Sequence, residues 1–211
     1  MLVVVGGHSR NIGKTSVVCG IVRALSEMRW TAAKITQFGH GVCTHAGEPC
    51  ECADPRHPVA MSEEHGADPT TDSGRFLAAG AARSFWLRTP AGGLGDGMER
   101  LREILRTSSN VVLESNSVLG FLRPDVCLMV VDGSVGDFKV TSQRFLDRAH
   151  ALVVTSPAPL VWPEISPALI QRKPRFEALA PSYENPELIH FIALKFQTLK
   201  FQAQTADISH R

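Results

Sequence analysis

Ten consecutive residues near the start of the chain, Gly7-His8-Ser9-Arg10-Asn11-Ile12-Gly13-Lys14-Thr15-Ser16, have the types and spacing that a phosphate group needs. Phosphate is held by many hydrogen-bond donors at short range, and the free backbone N–H groups at a helix start supply them. Gly7 and Gly13 let the chain curl tightly, and Lys14 brings a point charge to the β and γ oxygens. The Thr15 hydroxyl can meet Mg²⁺, and Ser9, Asn11 and Ser16 belong to the same cradle. The strict pattern is G-x-x-x-x-G-K-[ST]. Here His8 stands where its first glycine falls, and Gly7 lies one residue earlier.

Further along, a few charged residues could complete such a site. Lys34 lies inside Lys34-Ile35-Thr36-Gln37-Phe38, where it reads either as a phosphate-facing lysine or as a solvated one. Glu114 ends the apolar run Val111-Val112-Leu113 and can act as the carboxylate that holds Mg²⁺, directly or through water. Asp132 ends Leu128-Met129-Val130-Val131 in the same way and is its rival. Arg75 can grip a phosphate with two parallel N–H groups, or lie on a helix surface.

A separate chemistry is offered by Cys43, His45, Cys50 and Cys52, three thiols and an imidazole within ten residues. Tetrahedral Zn²⁺, or a related transition metal, takes such ligands. The spacing is not one of the common zinc patterns, so an exposed loop with incidental thiols stands beside that reading. Cys19 and Cys127 lie in apolar segments and read as small buried residues.

The elements that must position these groups alternate in type. Leu2 to Val5 reads as a strand buried on both faces, and Val17, Val18, Ile21, Val22 and Leu25 form one helical stripe. Thr31 to Phe38 reads as a second strand, followed at 39–71 by a long Cys/His-bearing loop with neither period. A helix over Asp72–Ala81, capped by Thr71 or Asp72, precedes a strand at Ser84–Arg88. The glycine-rich turn Ala91–Gly97 leads to a helix carrying Met98, Leu101, Ile104 and Leu105. Strands at 111–113 and 126–131, a helix at 140–149 and a strand at 151–155 follow. The segment 157–181 holds six prolines and gives no placement; Leu188, Ile192, Phe196 and Leu199 mark a last helix, before a polar tail of disordered character. Strands alternating with helices imply one α/β domain over 1–211. Its mostly parallel sheet would be flanked by helices in the manner of a P-loop nucleoside triphosphatase (NTPase), with 157–211 as a C-terminal extension. Ligands of such sheets sit at the carboxyl ends of the strands.

The balance of the chain excludes some partners. With 22 Lys and Arg against 21 Asp and Glu, there is no basic surplus to neutralise a nucleic acid. No run approaches the ~18 apolar residues of a membrane span. The first residues carry no basic segment ahead of the glycine loop, so a cytoplasmic protein with reduced thiols is expected.

The five-residue spacing between Gly7 and Gly13, with Lys34 at the end of the second strand, resembles the loops of dethiobiotin synthetase and cobyrinic acid a,c-diamide synthase. A closer resemblance joins that loop to Asp68-Pro69-Thr70-Thr71-Asp72-Ser73-Gly74-Arg75-Phe76-Leu77-Ala78-Ala79-Gly80-Ala81. Together these are similar to the molybdopterin-guanine dinucleotide biosynthesis protein B family, over roughly residues 1–135. Two departures stand out. The acidic strand ends Leu113-Glu114-Ser115-Asn116 where the family has Val-Glu-Gly, and the Cys-bearing loop replaces its histidine-rich segment.

The resemblance implies a homodimer that binds GTP with Mg²⁺, hydrolyses it slowly and assists a molybdenum-cofactor or other metalloenzyme maturation protein. In that reading Lys14, Lys34 and Glu114 would carry what catalysis there is. No Asn-Lys-x-Asp motif follows Val153-Val154-Thr155, so the residues themselves leave GTP and ATP open. Two other readings remain: a metallochaperone-like GTPase whose nucleotide state gates a metal in the Cys/His loop, and an ATP-dependent ligase of the dethiobiotin synthetase kind.

Overall fold

The structure, a computed structural model, describes residues 1–38 and 59–209. Its elements are β1 (Leu2–Gly7), α1 (Lys14–Ala24), β2 (Thr31–Phe38), β3 (Ala60–Glu64), α2 (Asp72–Ala78), β4 (Arg83–Pro90) and α3 (Leu94–Thr107). They continue with β5 (Val111–Glu114), β6 (Val126–Val131), α4 (Val140–Phe145), β7 (Ala151–Val154), α5 (Pro167–Gln171), β8 (Arg175–Glu177) and α6 (Pro186–Ser209). The strands form one sheet in the order β3-β4-β2-β5-β1-β6-β7-β8. Every pairing is parallel except β3 with β4. The fold is therefore α/β with a mostly parallel sheet between helices, compatible with a P-loop-like architecture.

Sequence patterning explains why the middle of the sheet is continuous. Strands β5, β6 and β7 are buried at every residue, as parallel strands covered on both faces must be. One face carries Val3, Val5, Val112, Leu128 and Val130, packed under α1, α2 and α6 through Val18, Ile21, Phe76, Leu188 and Ile192. The other face carries Val4, Leu87, Leu113 and Cys127, packed under α3 through Met98 and Leu101. Beyond β1 that second face continues as Met129, Val131 and Leu152 against Phe138, Trp162 and Ile170.

Several boundaries differ from the sequence reading. Part of the segment read as loop, 59–71, holds β3, whose half-buried pattern at the sheet edge gives a weak alternation signal. The side chain that caps α2 is Thr71, which accepts from Gly74 N at 3.0 Å; Asp72 is freed for another task. Helix α3 begins inside the glycine-rich turn, at Leu94. The helix expected over 140–149 is α4 followed by a 3-10 turn at Leu146–Arg148. The proline-rich segment contributes α5 and the edge strand β8, and the polar tail continues α6 as far as Ser209. Cys43, His45, Cys50 and Cys52 lie outside the described residues. Among the described residues no helix is long and apolar enough to cross a membrane.

Candidate functional site: a phosphate loop at the strand ends

Residues 7–15 pass from the end of β1 into the first turn of α1, where the order of the strands places β5 on one side and β6 on the other. Asn11 (φ 54°) and Gly13 (φ 86°) both adopt the left-handed conformation that turns the chain back on itself. At Gly13 a side chain would be strained by φ and would also meet the Tyr183 ring, with Cε1 at 2.6 Å from an added Cβ. At Gly7 an added Cβ would lie 2.6 Å from Lys14 Cδ, so the absence of a side chain is what lets the lysine stem cross the loop. Lys14 then folds over the loop and donates to Ser9 O at 2.7 Å.

His8, the departure from the strict pattern, does not enter the loop's interior. Its backbone continues the β1–β6 pairing, donating to Val130 O at 3.1 Å, so strand alternation sends its side chain to the face opposite Gly7. There it is fully buried between Phe138 and Trp162, with ring centroids at 5.1 and 4.9 Å. Nε2 accepts from Asp132 N at 3.1 Å, which fixes the proton on Nδ1, and Nδ1 donates to Asp137 O at 2.9 Å. Burial lowers the pKa of this imidazole from its ordinary value. The histidine acts as a neutral pin between the loop and the segment after β6.

The charged groups converge on the first turn of α1. Thr15 Oγ1 donates to Glu114 Oε2 at 2.8 Å, and Glu114 is only 2% exposed. Lys34 pairs with Glu114 and, at 2.8 Å, with Asp72 Oδ2. Asp72 is also within hydrogen-bonding reach of Thr15. Burial works to lower the Lys34 pKa, but Glu114 and Asp72 outweigh it and hold the value above the ordinary one. Burial also opposes ionisation of Asp72, yet Lys34 and the hydrogen bonds keep that carboxyl below its usual range. Lys14 goes the other way: burial lowers its pKa, with only Glu114 and Asp72 opposing. Arg75 reaches across from α2, donating to Ser16 Oγ at 2.9 Å and lying 3.8 Å from Asp72 Oδ1.

This donor set fits Mg²⁺. Among the described residues no group of three or more His, Cys, Asp or Glu could cage a metal by itself. Mg²⁺ does not ask for one; it keeps its waters and takes one or two carboxylates together with phosphate oxygens. Thr15, Glu114 and Asp72 offer hard oxygen at one place. Asp132 Oδ1 accepts instead from Ser134 N and Oγ at 2.9 and 2.5 Å.

The structure adds residues that sequence reasoning passed over. Asn116, in the Glu114-Ser115-Asn116 departure, accepts from Gly7 N at 2.9 Å and donates to Gly7 O at 2.8 Å. Ser142 Oγ donates to the same carbonyl at 2.7 Å. The loop's entry is thereby held by side chains more than a hundred positions away, a relationship no local pattern encodes. In the sequence Asp72 reads as a helix cap and as part of the 68–81 segment, with no role at the site. From the C-terminal extension, Tyr183 packs on Gly13, and the Thr155 hydroxyl after β7 donates to Ile12 O at 3.0 Å.

No protein-family model matches the chain, and no curated protein matches it significantly.

Proposed function

We propose that the protein binds a purine nucleoside triphosphate with Mg²⁺ at the 7–16 loop and hydrolyses it slowly. The observation that carries this reading is the convergence of Thr15, Lys34 and Glu114 at the first turn of α1. In this reading the backbone N–H groups at the α1 start take the phosphates, Lys14 leaves Ser9 O to neutralise the β and γ oxygens, and Lys34 faces the γ-phosphate. Bound Mg²⁺ would be held by Thr15 and Glu114, with Asp72 beside them, and would supply charge neutralisation at the transferring phosphate. Both nearby carboxylates are paired with Lys34, so neither is a free general base; catalysis by positioning and charge alone gives low turnover.

The resemblance to molybdopterin-guanine dinucleotide biosynthesis protein B favours GTP over ATP. It also favours a homodimer acting as an accessory to molybdenum-cofactor or metalloenzyme maturation. Calorimetric titration of GTP and of ATP, each with Mg²⁺ and again with EDTA, tests the reading. Tight Mg²⁺-dependent binding of GTP supports it in full. A preference for ATP moves the ligase reading ahead of the accessory one. No binding of either nucleotide refutes it.

A further inference from the structure

Beside the 7–16 loop lies a cation with no hydrogen-bond or ion-pair partner among the described residues. Lys139 stands at the start of α4, with its carbonyl accepting from Ser142 N at 2.8 Å and Gln143 N at 3.0 Å. Its own backbone N–H donates to His8 O at 2.9 Å. The two residues before it are tied to the loop as well: Phe138 packs on His8, and the Asp137 carboxylate accepts from Ser9 Oγ at 2.8 Å. Three consecutive residues are thus fixed against positions 8 and 9.

The side chain of Lys139 is half-buried and has no hydrogen-bond or ion-pair partner among the described residues. Among the charges that act on it are Lys14, Arg10 and Lys34, which repel it, and Asp137, which attracts it. Burial first, and then Lys14 and Arg10, push its pKa down to about 8. Lys34 is neutralised by two carboxylates and Lys14 has the Ser9 carbonyl, whereas Lys139 has nothing comparable among the described residues. An arrangement in which several cations repel one another across a loop is relieved by an anion among them.

Strand order fixes the direction of approach. Lys34 comes from β2, which lies beyond β5 on one side of β1, and Lys139 follows β6 on the other. We propose that Lys139 is a phosphate-binding residue of the nucleotide site, its ammonium engaging the terminal phosphate oxygens from the side of β1 opposite Lys34. The inference rests on the nucleotide reading above and adds to it a third lysine, supplied from outside the loop motif.

The test measures affinity for Mg–GTP and Mg–GDP (or the adenine pair, if those bind) in the wild type, Lys139→Ala and Lys139→Arg, with thermal melting of each. Lys139→Ala weakens the triphosphate about 10-fold or more, as loss of one charge-assisted hydrogen bond does, and the diphosphate by less than about threefold. Lys139→Arg stays within about threefold of the wild type. A pH series adds a readout that a scaffold role would not move. The free protein must take up a proton to bind once the pH exceeds the Lys139 value, so from pH 7 to 9 the wild type loses more affinity than Lys139→Arg. Triphosphate binding by Lys139→Ala within about twofold of the wild type would overturn the proposal while leaving the nucleotide reading intact. Equal loss of both nucleotides with a lowered melting temperature would overturn it too. Failure of the wild type to bind any nucleotide would remove the reading itself, and Lys139 with it.

Discussion

Thr15 and Glu114, 99 positions apart, are joined by a hydrogen bond of 2.8 Å from the hydroxyl in the first turn of α1 to the carboxylate at the end of β5. That bond ties the 7–15 loop to the strand beside it, and Lys34 from the next strand closes the cluster. Glu114 is nearly inaccessible, and its two carboxylate oxygens meet these two side chains.

Without Lys34 the buried Glu114 carboxylate loses its cation, which typically costs about 3–5 kcal/mol, whereas without Glu114 the ammonium of Lys34 keeps Asp72. Lys34→Met is expected to lose stability on that scale in urea unfolding, and Glu114→Ala less. The double variant is expected to lose less than the sum, because no buried Glu114 charge is then left without its cation. Additive losses would show that the two do not act as a pair.

Asn116 is the second group on which the loop depends. With Asn116→Ala the Gly7 N–H loses its acceptor, while Gly7 O keeps the Ser142 hydroxyl. The expected destabilisation is about 1–3 kcal/mol, the cost of one buried unsatisfied donor. Ser142→Ala leaves Asn116 on the same carbonyl and is expected to cost less. Unfolding of the two variants side by side gives the comparison.

These two cases show what the sequence could and could not disclose. The 7–16 loop, Lys34 and Glu114 could be picked out as candidates because glycine spacing and apolar runs ending in a charge are local patterns; the structure brings Thr15, Lys34 and Glu114 together. The central strands were legible because strands covered on both faces must be continuously apolar. Asn116, Ser142 and Asp72 were not, since their roles arise from strand order and from contacts across a hundred residues or from the turn of a helix. His8 looked like a defect in the motif. Only the strand pairing reveals that its side chain leaves by the opposite face, where Phe138 and Trp162 receive it. The edge strand β3 was missed because its half-buried residues carry little periodicity.

His8 makes stability depend on pH. Its folded pKa is depressed, chiefly by burial, below the ordinary value of about 6.5. The unfolded chain therefore binds the proton first, and this contribution is complete above about pH 6.5 and is lost as pH falls through the lower folded value. Protonation also removes the Nε2 acceptor from Asp132 N–H. Melting temperatures measured from pH 7.5 down to 5 are expected to fall more for the wild type than for His8→Gln, which starts lower but carries no titrating group. Parallel curves would show that the imidazole is not the group responsible.

The central claim, that residues 7–16 hold the phosphates of a nucleotide, is tested most directly through Lys14. Calorimetric titration of Mg–GTP and Mg–ATP into the wild type and into folded Lys14→Ala isolates the one lysine that crosses the loop mouth. The account predicts binding of one nucleotide by the wild type and a loss of about 100-fold or more in the variant, as expected for a buried charge-assisted contact. Equal affinity in the two proteins, or no binding by the wild type, would contradict it.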